Sequence, residues 1–292
     1  MKFPGSVHNH SEFSNIRLRD CIIKVENLID TAVSLGHKVL AITDHDCLSG
    51  HLSALSYYEK IKKDNPDFKL ILGNEIYLCR NGLNQDNFIS GEDSYYHFIL
   101  LAKDKEGHKQ LREISTRAWL RSYKTGKMRR VPTYYQDLID IIDNNKGHLI
   151  ASSACLGGFL SSECLKLAEN PDEERRNHLI KWCKSMVKLF GEGNFYIELQ
   201  PPEKKDNEQY LANQQLLEIA KELNIPWIVT TDSHYARLED RPIHKAYLNS
   251  QDGEREVDAF YATTYMMTTE ELESYFDFSL DEAYKNIDYI AS

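Results

Sequence analysis

Short apolar runs alternate with longer amphipathic stretches along this chain. Seven runs rich in β-branched or aromatic residues predict strands: GSVHN (5–9), KVLAIT (38–43), KLILG (69–73), HFILLA (97–102), HLIAS (148–152), NFYIEL (194–199) and PWIVTT (226–231). Helical periodicity fills the intervals. CIIKVENLIDTAVSL sets Ile22, Val25, Leu28, Ile29, Ala32 and Val33 on one stripe and stops at Gly36. DEERRNHLIKWCKSMVKLFG turns Leu179, Trp182, Met186 and Phe190 inward before Gly191, and NEQYLANQQLLEIAKEL opens at an Asn cap and carries Leu211, Leu217, Ala220 and Leu223. Strands alternating with helices predict an α/β fold with a parallel sheet, either closed as a βα barrel or open and doubly wound. No GxGxxG follows the first strand, which weakens a dinucleotide-binding reading.

A barrel collects its reactive residues at the C-terminal ends of the strands, and most of this chain's chemistry falls there. His8 and His10 end the first strand, with Asp20 ten residues on. Positions two apart share a face, so this pair can close on one metal or serve two; two exposed loop residues are the plainer alternative. Asp44, His45 and Asp46 follow the second strand, Glu75 the third, Cys155 the fifth, and Asp232 and His234 the seventh. His97 fits less well, because it begins its apolar run, and a hydrogen-bonded core histidine competes with a ligand there. Imidazoles, carboxylates and one thiol form a mixed ligand set that suits Zn²⁺, Mn²⁺ or Fe²⁺ better than Ca²⁺ or Mg²⁺ alone. At about four to six ligands per ion such a set could hold two or three metals. His37, His51, His108, His148, His178 and His244 sit on helical stretches or strand starts and read as surface or core residues.

Composition narrows the class. The 292 residues, 41% hydrophobic and 27% charged, suit one large α/β domain or two smaller ones. No apolar run reaches the roughly 18–20 residues that span a bilayer, and MKFPGSVHNH lacks the apolar centre of a signal peptide. Six cysteines without a CxxC pair point to reduced thiols and a cytoplasmic setting. A net charge of −10 argues against gripping nucleic acid by bulk electrostatics. One stretch stands apart: residues 115–136 carry Arg117, Arg121, Lys124, Lys127, Arg129 and Arg130 among aromatics. It suits a phosphate backbone, though a solvated helix end and loop is the simpler reading.

Taken together, HNHSEFS…RD, AITDHD, GNEIYL, YHFILLA, SACLGG and TTDSHY resemble the PHP (polymerase and histidinol phosphatase) superfamily. Within it, SACLGGFLSS, IELQPP and TTYMMTTEELESYF look most like the N-terminal domain of bacterial DNA polymerase III alpha subunits. The resemblance implies a distorted seven-stranded (βα)7 barrel over residues 1–270, with 271–292 as a helix leading to a polymerase body. It implies a trinuclear centre on His8, His10, Asp20, His45, Glu75, His97, Cys155, Asp232 and His234, with His10, His45 and Asp232 at the chemistry. The acid of the first motif lies about three residues further on than is usual in the family, so Glu12 is an alternative to Asp20. The activity implied is 3′–5′ proofreading hydrolysis of phosphodiesters, with a DNA 3′ end, the polymerase body and other replisome subunits as partners and no membrane. A metal-stabilised, non-catalytic domain of the polymerase and a stand-alone phosphatase for a small phosphomonoester are the rivals. Asp44 and Asp46 could orient His45 or be exposed turn acids. The closing SLDEAYKNIDYIAS, an amphipathic helix without a stop signal, suggests a fragment or split subunit, with no polymerase active site of its own.

Overall fold

The computed structural model describes residues 1–79, 95–126, 128–250 and 260–292. The run VLAI is apolar at every position because β1 (Val39–Ile42) is buried along its whole length. After it come β2 (Lys69–Cys79), β3 (Tyr95–Ala102), β4 (Tyr123–Thr125), β5 (Met128–Arg130), β6 (Pro132–Tyr134), β7 (Leu149–Ser152), β8 (Phe195–Leu199) and β9 (Trp227–Val229). The main sheet runs β1-β2-β3-β7-β8-β9, with β6 added beside the far end of β2. β4 and β5 form a separate hairpin inside the basic stretch.

Two features depart from the sequence pattern. Residues 5–9 form no ladder strand, because they make only isolated bonds to each of two neighbours. Ala41 and Thr43 donate to the carbonyls of Ser6 and Asn9 on one side, and His10 donates to Ser233 on the other. This extended segment therefore links the loop after β9 to the β1 edge and curls the sheet into a distorted barrel. The sheet is also not all parallel. β3 runs antiparallel to both β2 and β7, whereas β1-β2, β7-β8 and β8-β9 are parallel. A parallel neighbour needs a crossover connection, usually a helix; no helical periodicity separates KLILG from HFILLA, and the chain turns back instead.

The helices are α1 (Val25–Ser34), α2 (His51–Ile61), α3 (Lys105–Leu120), α4 (Tyr135–Ile142), α5 (Phe159–Glu169), α6 (Glu173–Phe190), α7 (Glu208–Leu223), α8 (Arg241–Leu248), α9 (Thr269–Ser274) and α10 (Asp281–Ala291). α1 buries Val25, Leu28, Ile29 and Ala32 against β1, as its stripe predicts. α6 starts on the Asp172 cap and ends at Gly191, which takes φ 92°. α7 starts on the Asn207 cap, but its buried stripe is Ala212, Leu216, Ile219 and Ala220, while Leu211, Leu217 and Leu223 are only partly buried. The apolar positions of α7 thus outnumber what one face can cover. Phe98, Phe190, Phe195 and Trp182 pack ring to ring where α6 meets β3 and β8. α10 buries Ala283, Tyr284 and Ile287, and Asn286 donates to the Trp227 carbonyl of β9. No helix among the described residues is long and apolar enough to cross a membrane.

His37, discounted as a ligand, is buried beneath Phe3 with Nε2 3.0 Å from the Met267 carbonyl. Burial pulls its pKa down to about 4. The unfolded chain therefore takes up a proton near pH 6.5 that the folded chain refuses until near pH 4, so stability falls as the pH drops through this window. The contribution lost between pH 7 and pH 5 is about 2 kcal/mol. We expect His37→Gln to narrow by that amount the difference in unfolding free energy between the two pH values, measured by urea titration.

Candidate metal centre

At one mouth of the barrel, side chains from residue 8 to residue 234 converge. Glu75 lies at the centre. Its register is fixed by paired strands, because Glu75 donates to the Thr43 carbonyl and Asp46 donates to the Glu75 carbonyl. Oε2 of Glu75 lies 2.8 Å from His45 Nδ1, 3.1 Å from His10 Nε2 and 3.6 Å from His8 Nε2. Oε1 lies 2.6 Å from His97 Nδ1 and 4.0 Å from Cys155 Sγ. Asp232 Oδ1 lies 3.1 Å from His8 Nε2 and 3.0 Å from His10 Nε2. Asp20 Oδ2 joins His45 Nε2 at 2.7 Å to His234 Nε2 at 3.0 Å. The structure thus brings His8, His10, Asp20, His45, Glu75, His97, Cys155, Asp232 and His234 into one cluster.

The antiparallel direction of β3 places His97. Its start lies at the mouth where the parallel strands end, so a residue that opens its apolar run meets residues that close theirs. The loops after the strands carry local strain. Asp46, Ala154 and Asp232 take positive φ values of 53°, 60° and 46°, each at or beside a cluster residue. Gly157 makes room for His97, because a Cβ there would stand 3.0 Å from the imidazole ring. Asp20 reaches the cluster from the NIRLRD stretch, whereas the carboxylate of Glu12 accepts from Val25 N at 2.7 Å and caps α1. Glu12 is therefore outside the cluster.

Burial and charge set the protonation of the group. Burial would raise the carboxyls of Glu75, Asp232 and Asp20, but facing imidazoles hold all three well below the usual carboxylate range. The converse holds for His45, where burial is outweighed by Glu75 and Asp20 and the pKa rises to about 9. Burial pushes the Cys155 thiol well up.

Two partners anchor the imidazoles from behind. Glu198 Oε1 lies 2.7 Å from His8 Nδ1, and the same carboxylate accepts from Ser152 at 2.5 Å and Thr230 at 2.6 Å. Sequence reasoning missed Glu198; the available signal was an acid inside the otherwise apolar run FYIEL. Ser14 Oγ sits 3.0 Å from His10 Nδ1 and donates to Asp44 at 2.9 Å. Asp44 thus braces the His10 ring through Ser14, whose Oγ also accepts from the His45 amide at 3.2 Å. Asp46 faces Arg17 and the Tyr77 amide instead of a histidine.

The donor set can hold metal. His45 Nδ1, Glu75 Oε2 and Asp232 Oδ1 are buried within 2.8–3.1 Å of other cluster atoms but at angles that make no hydrogen bond, a crowding of lone pairs that a bound cation would satisfy. Three triads have ligand atoms mutually within 4.8 Å: His10, His45 and His234; His8, His10 and Glu75; His45, Glu75 and His97. The basic stretch divides. Arg117 pairs with Glu113 and Asp140, and Arg121 forks onto Asp137 at 2.7 and 2.5 Å. Exposed Lys124 and half-buried Arg129 and Arg130 lie on the β4–β5 hairpin, whose Met128 lines the mouth of the cluster. Lys127 lies outside the described residues.

A family profile described as the PHP domain matches residues 6–202. The chain belongs to the PHP domain family. This PHP domain is 43% identical over 298 aligned residues to the DNA-directed DNA polymerase of Bacillus phage SPbeta, covering 96% of the chain and 22% of that protein. The DNA polymerase III subunit alpha of Aquifex aeolicus is 32% identical over 256 residues, covering 84% of the chain and 19% of the relative. The PHP domain therefore spans about a fifth of the length of the curated relatives it matches. Among solved structures, an amidohydrolase from Chromobacterium violaceum superposes with a TM-score of 0.46 at 14% identity, over 79% of this chain and 87% of that one. A likeness that distant carries no argument.

If Glu198 fixes the ring of His8 for coordination, Glu198→Gln should lower metal affinity roughly 10- to 100-fold with the fold retained. Competition against a chromogenic chelator, with circular dichroism as the control, reads this directly.

Proposed function

We propose that this chain is the metal-dependent phosphoesterase domain of a DNA polymerase III alpha-like protein and hydrolyses the terminal phosphodiester at a DNA 3′ end. The observation that carries the reading is the buried cluster of crowded imidazole and carboxylate atoms, three of which make no hydrogen bond, beside a cavity of 210 Å³. Two or three divalent ions (Zn²⁺, Mn²⁺ or Fe²⁺), held by the nine residues named above, would lower the pKa of water from 15.7 toward roughly 7 and neutralise phosphoryl charge.

The chain's own residues do the rest. His45 and Asp232 line the cavity, and His10 stands directly behind with Nε2 on Asp232. Glu198 and Ser14 fix the rings of His8 and His10, so neither imidazole has to reorganise as charge develops. Tyr261 donates to Asp20 Oδ1 at 2.6 Å and holds that carboxylate toward His45 and His234. Phe260, 38% exposed, lines the cavity beside Tyr261, and an aromatic ring there suits a nucleobase better than a bare phosphomonoester. Lys124, Arg129 and Arg130 on the adjoining hairpin suit a phosphate backbone.

One observation favours a second reading. His8, His10 and Glu75 have no exposed surface, so ions at the inner end of the cluster would also staple the barrel and position a polymerase without catalysis.

We expect Mn²⁺-loaded wild-type chain to trim single-stranded DNA from its 3′ end in preference to phosphomonoesters, and His10→Ala/Asp232→Ala to abolish trimming. Undiminished activity in the double variant rejects the mechanism. Chelation should lower the melting temperature under either reading. A chelation-sensitive melt with no hydrolysis in Zn²⁺, Mn²⁺ or Fe²⁺ selects the staple.

A further inference from the structure

Among the described residues that line the cavity beside the cluster, one is a lysine or arginine. Arg17 follows the 3₁₀ turn Glu12–Ile16, and its carbonyl accepts from Arg129 of the hairpin at 3.4 Å. The side chain is buried. Its guanidinium lies 3.7 Å above the Tyr77 ring, donates to the Tyr77 hydroxyl and to Met128 Sδ, and holds Nε 3.5 Å from Asp46 Oδ2. Arg17 shares the cavity wall with Asp20, His45, His97, Asp232 and His234.

We propose that Arg17 is a phosphate-positioning residue, whose guanidinium seats the phosphoryl group of the substrate against the metal cluster. The proposal rests on the phosphoesterase reading above and adds to it the group that orients the anion. Three facts carry it. First, a guanidinium has five N–H donors in a fixed fork, and among the described residues Arg17 gives one to Tyr77 and one to Met128. Its buried Nε makes no hydrogen bond but faces Asp46 Oδ2 at 3.5 Å, which leaves one N–H on each Nη without a partner among the described residues. The remaining donors are the kind that read phosphate oxygens in pairs.

Second, the location favours an anion, although Asp46 already balances part of the Arg17 charge. Divalent cations at Asp20 and His45 are repelled by a guanidinium on the same cavity wall, so Arg17 works against metal loading. A phosphoryl group entering between them is attracted by both. Third, the side chain is pre-set. The Tyr77 ring beneath it, Asp46 at Nε and Met128 at Nη1 leave the fork little freedom, so little rotamer entropy remains to be lost when an anion arrives. Tyr77 in turn packs against His97, with ring centroids 4.5 Å apart, and links the fork rigidly to the cluster.

The test is titration calorimetry of inorganic phosphate into Mn²⁺-loaded chain, with elemental analysis and thermal melting on the same samples. We expect the wild type to bind phosphate, Arg17→Gln to keep its metal content and lose roughly tenfold or more in phosphate affinity, and Arg17→Lys to recover only part, because an ammonium lacks the planar fork. In steady-state trimming of a 3′ single strand, KM should rise more than kcat falls. Wild-type phosphate affinity in a fully metallated Arg17→Gln overturns the proposal. Should Arg17→Gln fail to fold, Arg17→Lys decides: full affinity overturns the proposal, and weakened affinity at full metal content supports it. A wild type that trims DNA beside variants of unchanged phosphate affinity removes Arg17 alone. A metallated wild type that neither trims DNA nor binds phosphate removes the phosphoesterase reading with it.

Discussion

The mouth of this barrel is organised around one buried carboxylate. Glu75 has no exposed surface, and four imidazoles and a thiol face its two oxygens. A carboxylate taken out of water costs several kcal/mol unless charge and hydrogen bonds replace the solvent. Here burial is outweighed by His97, His45 and His8, which keep the group ionised. The arrangement requires a fixed register, since a slip of one residue in β2 would turn Glu75 to the other face of the sheet. β2 is held against slipping on both sides: Val39–Ile42 pairs with 69–72, and Tyr95–Leu101 pairs with 73–79.

The same mouth concentrates backbone strain. Asp46, Ala154 and Asp232 all take left-handed conformations, each of a kind that costs roughly 1–3 kcal/mol outside glycine. Asp232 is itself in the cluster, Asp46 follows His45, and Ala154 precedes Cys155. The hydrogen bonds around these turns hold them in place. Asp46 N reaches the Glu75 carbonyl, and Gly158 N reaches the Cys155 carbonyl. Strain at three strand ends, compensated by ladders on either side, aims side chains from separate strands at one volume.

Much of this was legible in the sequence. Asp44–Asp46, Glu75, Cys155 and Asp232–His234 could be placed because each follows a short apolar run, and in a barrel those ends share a mouth. The closure by residues 5–9 was visible as a strand-like run, although its split hydrogen bonding was not. His97 resisted because a period-two pattern says nothing about strand direction; only the reversal of β3 turns the wrong end of that run into the right one. Asp20 resisted because loop length leaves the reach of a side chain open, and Glu12 competed until its carboxylate was found capping α1. Glu198 was hidden by its own strand, where one acid among apolar neighbours reads as noise unless a buried histidine is known to face it. The basic stretch looked uniform in sequence, yet Arg117 and Arg121 are held by acids of α3 and α4, partners that only the fold supplies.

That division bears on how an acidic chain could meet an anionic strand. The formal charge of −10 repels nucleic acid at long range, but at about 0.15 M salt a charge is screened beyond roughly 8 Å. What an approaching phosphate feels at the cavity is therefore its immediate surroundings. Those are Arg17, Asp20, Asp232, the imidazoles and Phe260 in the wall, together with Met128 from the hairpin that carries Lys124, Arg129 and Arg130. The acids nearest the mouth, Asp20, Glu75 and Asp232, are turned inward and matched by imidazoles. Asp20 and Asp232 share the cavity wall with Arg17, but their charge is matched by His8, His10, His45 and His234, so the carboxylates oppose an entering phosphate less than their number suggests.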